Sequence, residues 1–223
     1  MRGENEATIV EERLRELGAR LRGPHRLKSD LLTEARHGLL DAVDAYREDG
    51  LSATEAQRRA VAEFGSPAQL APAYQAELAA GALRGLSLRV IALATVAFVA
   101  GDLTWQGSSW GGDRPPVGYQ LLSASVGWIW AAAFVLAVVG LLPAVRSAPR
   151  VGIGSGVGDR MVGAALTGVL ALGVLAGSAL FTWSLGLWDA ALTWPPMIIG
   201  VLVAAAGYLW LGRAARTWLL ATR

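Results

Sequence analysis

Four runs of mainly apolar residues, at 86–105, 119–142, 161–183 and 194–211, follow 85 residues that contain no such run. A helix crosses a hydrocarbon core of about 30 Å with roughly 20 residues, so each of the four is long enough to span a bilayer. The chain therefore divides into a polar front part and a membrane part. The expected fold class is all-α, an N-terminal small helical bundle followed by a four-helix transmembrane domain.

The basic residues orient the spans. Arg84 and Arg89 flank the start of the first run, Arg146, Arg150 and Arg160 lie between the second and third, and Arg213, Arg216 and Arg223 follow the fourth. The other two connections hold Arg114 with Asp113 and Asp189. Cytoplasmic loops retain Arg and Lys, so the expected protein is multi-pass in the inner or plasma membrane with both termini cytoplasmic. The N-terminus is charged and its first long apolar stretch begins near residue 86, which predicts no cleavable signal and insertion directed by the first span.

Residues 1–85 carry 12 Lys and Arg against 14 Asp and Glu, whereas residues 86–223 carry 8 against 4. The basic excess thus sits at the membrane and the front domain is mildly acidic, which disfavours direct nucleic-acid binding by that domain. With no cysteine, disulfides, thiolate-bound zinc and thiol nucleophiles are excluded.

Within the front domain, residues 1–8 are expected to be disordered and 9–85 to form four short helices. Val10, Leu14, Leu17 and Leu21 recur at spacings of four, three and four, marking an amphipathic first helix. Gly23-Pro24 stops it, and a longer helix follows to Glu48, with Leu27, Leu31, Ala35, Leu39, Ala42 and Tyr46 on its buried face and Gly50 as its stop. Ser52 with Glu55 reads as a capping box for a helix through Phe64, ended by Gly65. Ser66-Pro67 opens a fourth helix that carries Leu70, Ala73, Tyr74 and Leu78, with breaks expected at Gly81 and Gly85 before the first span. Four helices of this length bury only a small core, which suits an interaction module better than an enclosed active site.

These residues also carry a likeness. Gly23-Pro24, Asp30-Leu31-Leu32 with Glu34, Leu39-Leu40-Asp41-Ala42, Gly50-Leu51-Ser52, Glu55-Ala56, the stretch from Ala60 through Phe64-Gly65-Ser66-Pro67, and Glu77-Leu78 resemble the HAAS signalling domain, also described as a permease prefix domain. The resemblance covers about residues 9–80, and its motifs are structural. It implies a regulatory role toward a PadR-like transcription regulator; related prefixes precede transporter permeases.

On the second helix Asp30, Glu34, His37, Asp41, Asp44 and Glu48 repeat every three or four residues opposite the apolar face. They form either a partner-binding acidic stripe or a solvated helix face. Glu34 and His37 share the spacing of a di-iron ligand pair but lack the second pair such a centre needs, so no metal or cofactor is expected. The glycine-rich run 152–158 lacks the strand and lysine of a phosphate loop and reads as a linker.

In the membrane half, Gly163, Gly168, Gly173 and Gly177 give the third span a small-residue pattern that packs either within the chain or, through Gly173 and Gly177, against a second copy. Gly127 with Ala131 and Gly200 with Ala204 are weaker versions. Trp105, Trp110, Trp128, Trp130, Trp183, Trp188 and Trp194 gather toward the outer face with Tyr119. They form an interfacial belt or, around Trp105, Trp110, Trp183, Trp188 and Trp194, a ligand-binding cluster that Asp102 would border. The span centres hold no Asp, Glu, His, Lys or Arg, which disfavours an enzyme or a secondary transporter. The expected role is a membrane-tethered regulator; the runner-up is an accessory or scaffold subunit of an exporter.

Overall fold

The structure is a computed structural model that describes residues 2–106, 115–145, 155–187 and 195–222, with side chains over 9–99, 115–142, 158–187, 195 and 197–222. The described residues are all-α: α1 (Arg2–Arg20), α2 (His25–Glu48), α3 (Ala53–Phe64), α4 (Pro67–Gln106), α5 (Val117–Val145), α6 (Ser155–Leu187) and α7 (Pro195–Ala221). They fall into two compact units, Met1–Ala82 with Thr217–Arg223, and Leu83–Arg216.

In the first unit, the head, local chemistry sets the turns. Gly23 has φ +152° and is followed by Pro24 at φ −58°, so the chain leaves α1 and enters α2 in a conformation fixed by the ring. The Ser52 hydroxyl accepts from the Glu55 amide at 3.4 Å while the Glu55 carboxylate accepts from the Ser52 amide, a complete capping box for α3. Ser66 and Gln69 repeat that exchange for α4, with Gln69 Oε1 accepting from the Ser66 amide at 3.1 Å. Between the two boxes lies Gly65 at φ +95°, ψ 175°, a region closed to side chains. Gly65→Ala is expected to cost roughly 1–2 kcal/mol, read as a lower unfolding midpoint of the head in detergent.

The head's apolar faces meet in two clusters. Val10 and Leu14 of α1 join Ala35, Leu39 and Val43 of α2 and Ala56, Ala60 and Val61 of α3. Leu17 and Leu21 join Leu78 of α4, surrounded by Leu27, Leu31, Leu32, Leu70 and Ala71. Phe64 and Tyr74 touch both clusters, which makes them structural, as their spacing implies. Ala73 is exposed, and Ala71 takes the inward place. Each fully buried leucine contributes about 1.5–3 kcal/mol, so Leu17, Leu39 and Leu78 dominate a small core.

Three boundaries differ from the expectation. α1 begins at Arg2, where residues 1–8 are expected to be disordered; Glu4, Glu6 and Ala7 all tolerate helix well. α4 is one helix of 40 residues without a break at Gly81 or Gly85. A glycine inside a helix costs only about 1 kcal/mol, and at Gly81 its missing side chain admits Leu27, whose Cδ1 lies 3.5 Å from where a Cβ would stand. Finally, α7 does not end near 211 but runs to Ala221, and Thr217–Arg223 belong to the head. The physical reason is spacing: Leu211, Ala214, Ala215, Trp218 and Ala221 continue an apolar stripe past the arginines, and all five are buried.

Gln75 fastens that last turn. Its Nε2 donates to Ala221 O and to Arg22 O, each at 2.6 Å, and its Oε1 accepts from the Arg22 amide at 2.9 Å. One side chain on α4 thus holds both the turn after α1 and the end of α7.

In the second unit, α4 through α7 each contain a segment long and apolar enough to cross a membrane. Their outward rows stay exposed, as with Leu121 at 68 %, Leu175 at 68 % and Leu202 at 65 %. Apolar surface of that extent requires a hydrocarbon solvent, which is the build of a multi-pass membrane protein. The helices approach one another at particular residues. Ser87 of α4 faces Gly140 of α5, Ile129 of α5 faces Gly173 of α6, Tyr208 of α7 covers Gly173, and Leu93 of α4 meets Gly207 of α7. Ser87 is fully buried, with its Oγ 2.8 Å from where a Cβ on Gly140 would stand, so the α4–α5 approach requires glycine there.

Candidate functional site

α2 turns Ala35, Leu39 and Val43 inward, and the 3.6-residue repeat therefore puts Asp30, Glu34, His37, Asp41, Asp44 and Glu48 on the opposite side. All six are exposed. From Asp30 to Glu48 the row extends about 27 Å along the helix. Arg47 approaches Asp44 at 3.9 Å, and the flanking Arg36 is held by Glu11 of α1 at 2.5 Å. Asp30, Glu34, Asp41 and Glu48 have no ion pair among the described residues, so their charge faces solvent. Such a row can attract a basic surface over its whole length. Among the described residues no three His, Asp or Glu side chains gather as a metal set, and Glu34 with His37 remains a pair. His25 opens α2 at the surface.

At the far end of α2 a small polar network ties it to α3. Tyr46 donates to the Glu63 carboxylate, and Arg59 donates to the same group at 3.3 Å while its guanidinium lies 5.9 Å from the Tyr46 ring centre. The Tyr46 hydrogen bond, then the Arg59 one, hold the Glu63 carboxyl below the usual range, and the bond to Glu63 raises the Tyr46 hydroxyl. Burial raises Tyr74, with Glu77 and Glu34 adding to it. Beside this network Gly50, Leu51, Glu55, Arg58, Arg59 and Ala62 line an open surface hollow.

The aromatic cluster expected at the outer face lies only partly among the described residues. Trp110, Trp188 and Trp194 and the side chains of Trp105 and Asp102 lie outside the described residues. Trp183 stacks edge-on with Tyr119, centroids 6.1 Å apart at 85°, and Tyr119 Oη bonds Ser184 Oγ at 3.0 Å. Gly118 makes room for the Trp183 ring. These contacts tie α5 to α6. Trp128, 78 % exposed, faces outward, whereas Trp130 packs on Tyr208 at 5.8 Å.

Of the glycines on the third span, Gly173 and Gly177 receive the Tyr208 hydroxyl, at 3.3 and 3.8 Å from their Cβ positions, while Gly168 faces open space. Gly127 and Gly200 also have nothing within 4 Å. Tighter still are Gly118, Gly140 and Gly207, at 2.8, 2.8 and 2.7 Å, which their spacing does not single out. Residues 155–158 of the glycine-rich run lie in α6, and 152–154 lie outside the described residues. Comparison with models of known protein families, with curated proteins and with solved structures finds no match to this chain.

Proposed function

We propose that this chain is a membrane-tethered signalling protein, not an enzyme, whose helical head docks a cytoplasmic protein through the acidic face of α2. The observation that carries the reading is the exposure of all six stripe side chains on the face turned away from the head's core. The HAAS resemblance of residues 9–80 makes a PadR-like transcription regulator the favoured partner, and the arginine distribution supports a cytoplasmic head and C-terminus. Two membrane-crossing elements supply residues to the head: α4 through Leu78 and Gln75, and α7 through Ala221. A shift in span packing, started at the outer aromatic end, would reach the docking face along either helix if the two arrangements bind the partner unequally.

The test is capture, by the full-length protein in detergent, of a PadR-like regulator from the same genome. Micromolar, salt-sensitive binding is expected, and replacing Asp30, Glu34 and Asp41 together by Ala should weaken it about ten-fold, since exposed charge pairs contribute up to about 1 kcal/mol each. Absence of binding at micromolar concentration, or binding indifferent to both salt and the triple variant, would refute the docking face. Copurification with a permease or ATPase instead would favour the accessory-subunit reading.

A further inference from the structure

Arg89 lies inside the apolar stretch of α4, flanked by Leu86, Leu88, Val90 and Ile91, and is half-buried. A guanidinium has five N–H donors. Among the described residues, Nη1 of Arg89 donates to Gly85 O one turn back at 3.2 Å, and the guanidinium lies over the Trp210 ring of α7, 5.5 Å from its centre. The described ion pairs include neither Arg89 nor Arg213. Arg213 follows Trp210 at the i+3 position, hence on the same side of α7, and is exposed. Trp210 is itself 46 % exposed, at the end of the bundle away from the outer aromatics. Asp159 of α6 is the one carboxylate among the described residues at this end of the bundle.

Donors held at this depth and level need acceptors, and what a bilayer offers there is the phosphate of its own lipids. We propose that Arg89, Trp210 and Arg213 form a site for the headgroup phosphate of an anionic phospholipid in the leaflet that meets the arginine-bearing ends of α4 and α7. Trp210 holds the Arg89 guanidinium by a cation–π contact, leaving its remaining N–H groups to grip a phosphate in the two-point manner typical of Arg, and Arg213 adds the second charge. The site bridges two helices, so an occupied headgroup fastens the α4–α7 seam.

The test uses the full-length protein in detergent, with retained lipid measured by native mass spectrometry against equal amounts of phosphatidylglycerol and phosphatidylcholine. Wild type is expected to prefer phosphatidylglycerol at least ten-fold, Arg89→Gln and Arg213→Gln to lose about five-fold each, and Arg20→Gln, on the exposed side of α1, to lose nothing. Arg89→Lys keeps the charge and tests the two-point grip with less risk to folding; an intermediate loss is expected. Equal retention of both lipids by wild type would overturn the site, as would unchanged preference in the Arg89→Gln, Arg213→Gln double variant. Displacement of the lipid by millimolar inorganic phosphate would show a free-anion site and also overturn it.

Discussion

Replacing Trp218 by Ala, or ending the chain after Arg216, is expected to loosen the N-terminal head although the change lies at the other end of the sequence. Trp218 is 3 % exposed, Ala221 is fully buried, and both belong to the compact unit formed by Met1–Ala82 and Thr217–Arg223. Removing a buried tryptophan costs about 3–5 kcal/mol, and a helical domain this small has little stability to spare. The measurement is limited proteolysis or amide exchange of the full-length protein in detergent, following α1 to α3. Faster cleavage of those helices, with α5 and α6 unchanged, is the expected result. Gln75→Leu provides a milder version: it leaves Arg22 and Ala221 backbone groups to water and should cost about 1 kcal/mol in the same readout. A head as protected as wild type in all three variants would mean that the last turn of α7 contributes nothing to it.

That dependence was available in the sequence but masked by a stronger signal. Arg213 and Arg216 follow a long apolar run and mark its end as a span, so the stripe of Ala214, Ala215, Trp218 and Ala221 that runs between and beyond them is easily taken for a tail. The head's own helices were legible because each rests on local chemistry: Val10 to Leu21 at helical spacing, Ser52 with Glu55, Gly65 before Ser66-Pro67. The exposure of Asp30, Glu34, His37, Asp41, Asp44 and Glu48 follows from the same periodicity, since a helix that buries Leu39 and Val43 must turn those six outward. What a partner would read there is not local chemistry, and periodicity alone does not distinguish a docking face from a solvated one.

Span packing was the least legible part. Small residues on a membrane helix are necessary for close approach but say nothing of which neighbour arrives, because hydrocarbon supplies no difference between lipid and helix faces. Gly168 belongs to the small-residue pattern and faces open space, whereas Gly140 and Gly207 belong to none and sit where Ser87 and Leu93 press closest. The deciding fact is the register between antiparallel helices, and register is a property of pairs.

Gly207 carries the sharpest consequence of that register. A Cβ at this position would stand 2.7 Å from Leu93 Cδ2, closer than real side chains come, and 3.0 Å from Cδ1. The obstructing atoms are the tip of a flexible leucine, so Gly207→Ala is met by a rotamer change at a modest penalty. Gly207→Leu has no such escape: α4 and α7 must separate, at a cost of about 3 kcal/mol from overpacking and lost contacts. The expected readout is a large fall in the thermal midpoint of the detergent-solubilised protein. Leu93→Ala alone should also destabilise, by the space it leaves beside Gly207. Combining Leu93→Ala with Gly207→Leu places the bulk on the opposite side of the same contact, and the pair is expected to recover a substantial part of what each loses alone. Strictly additive losses would mean that the two residues do not touch, and with that the α4–α7 seam on which the Arg89 and Trp210 arrangement rests would fail.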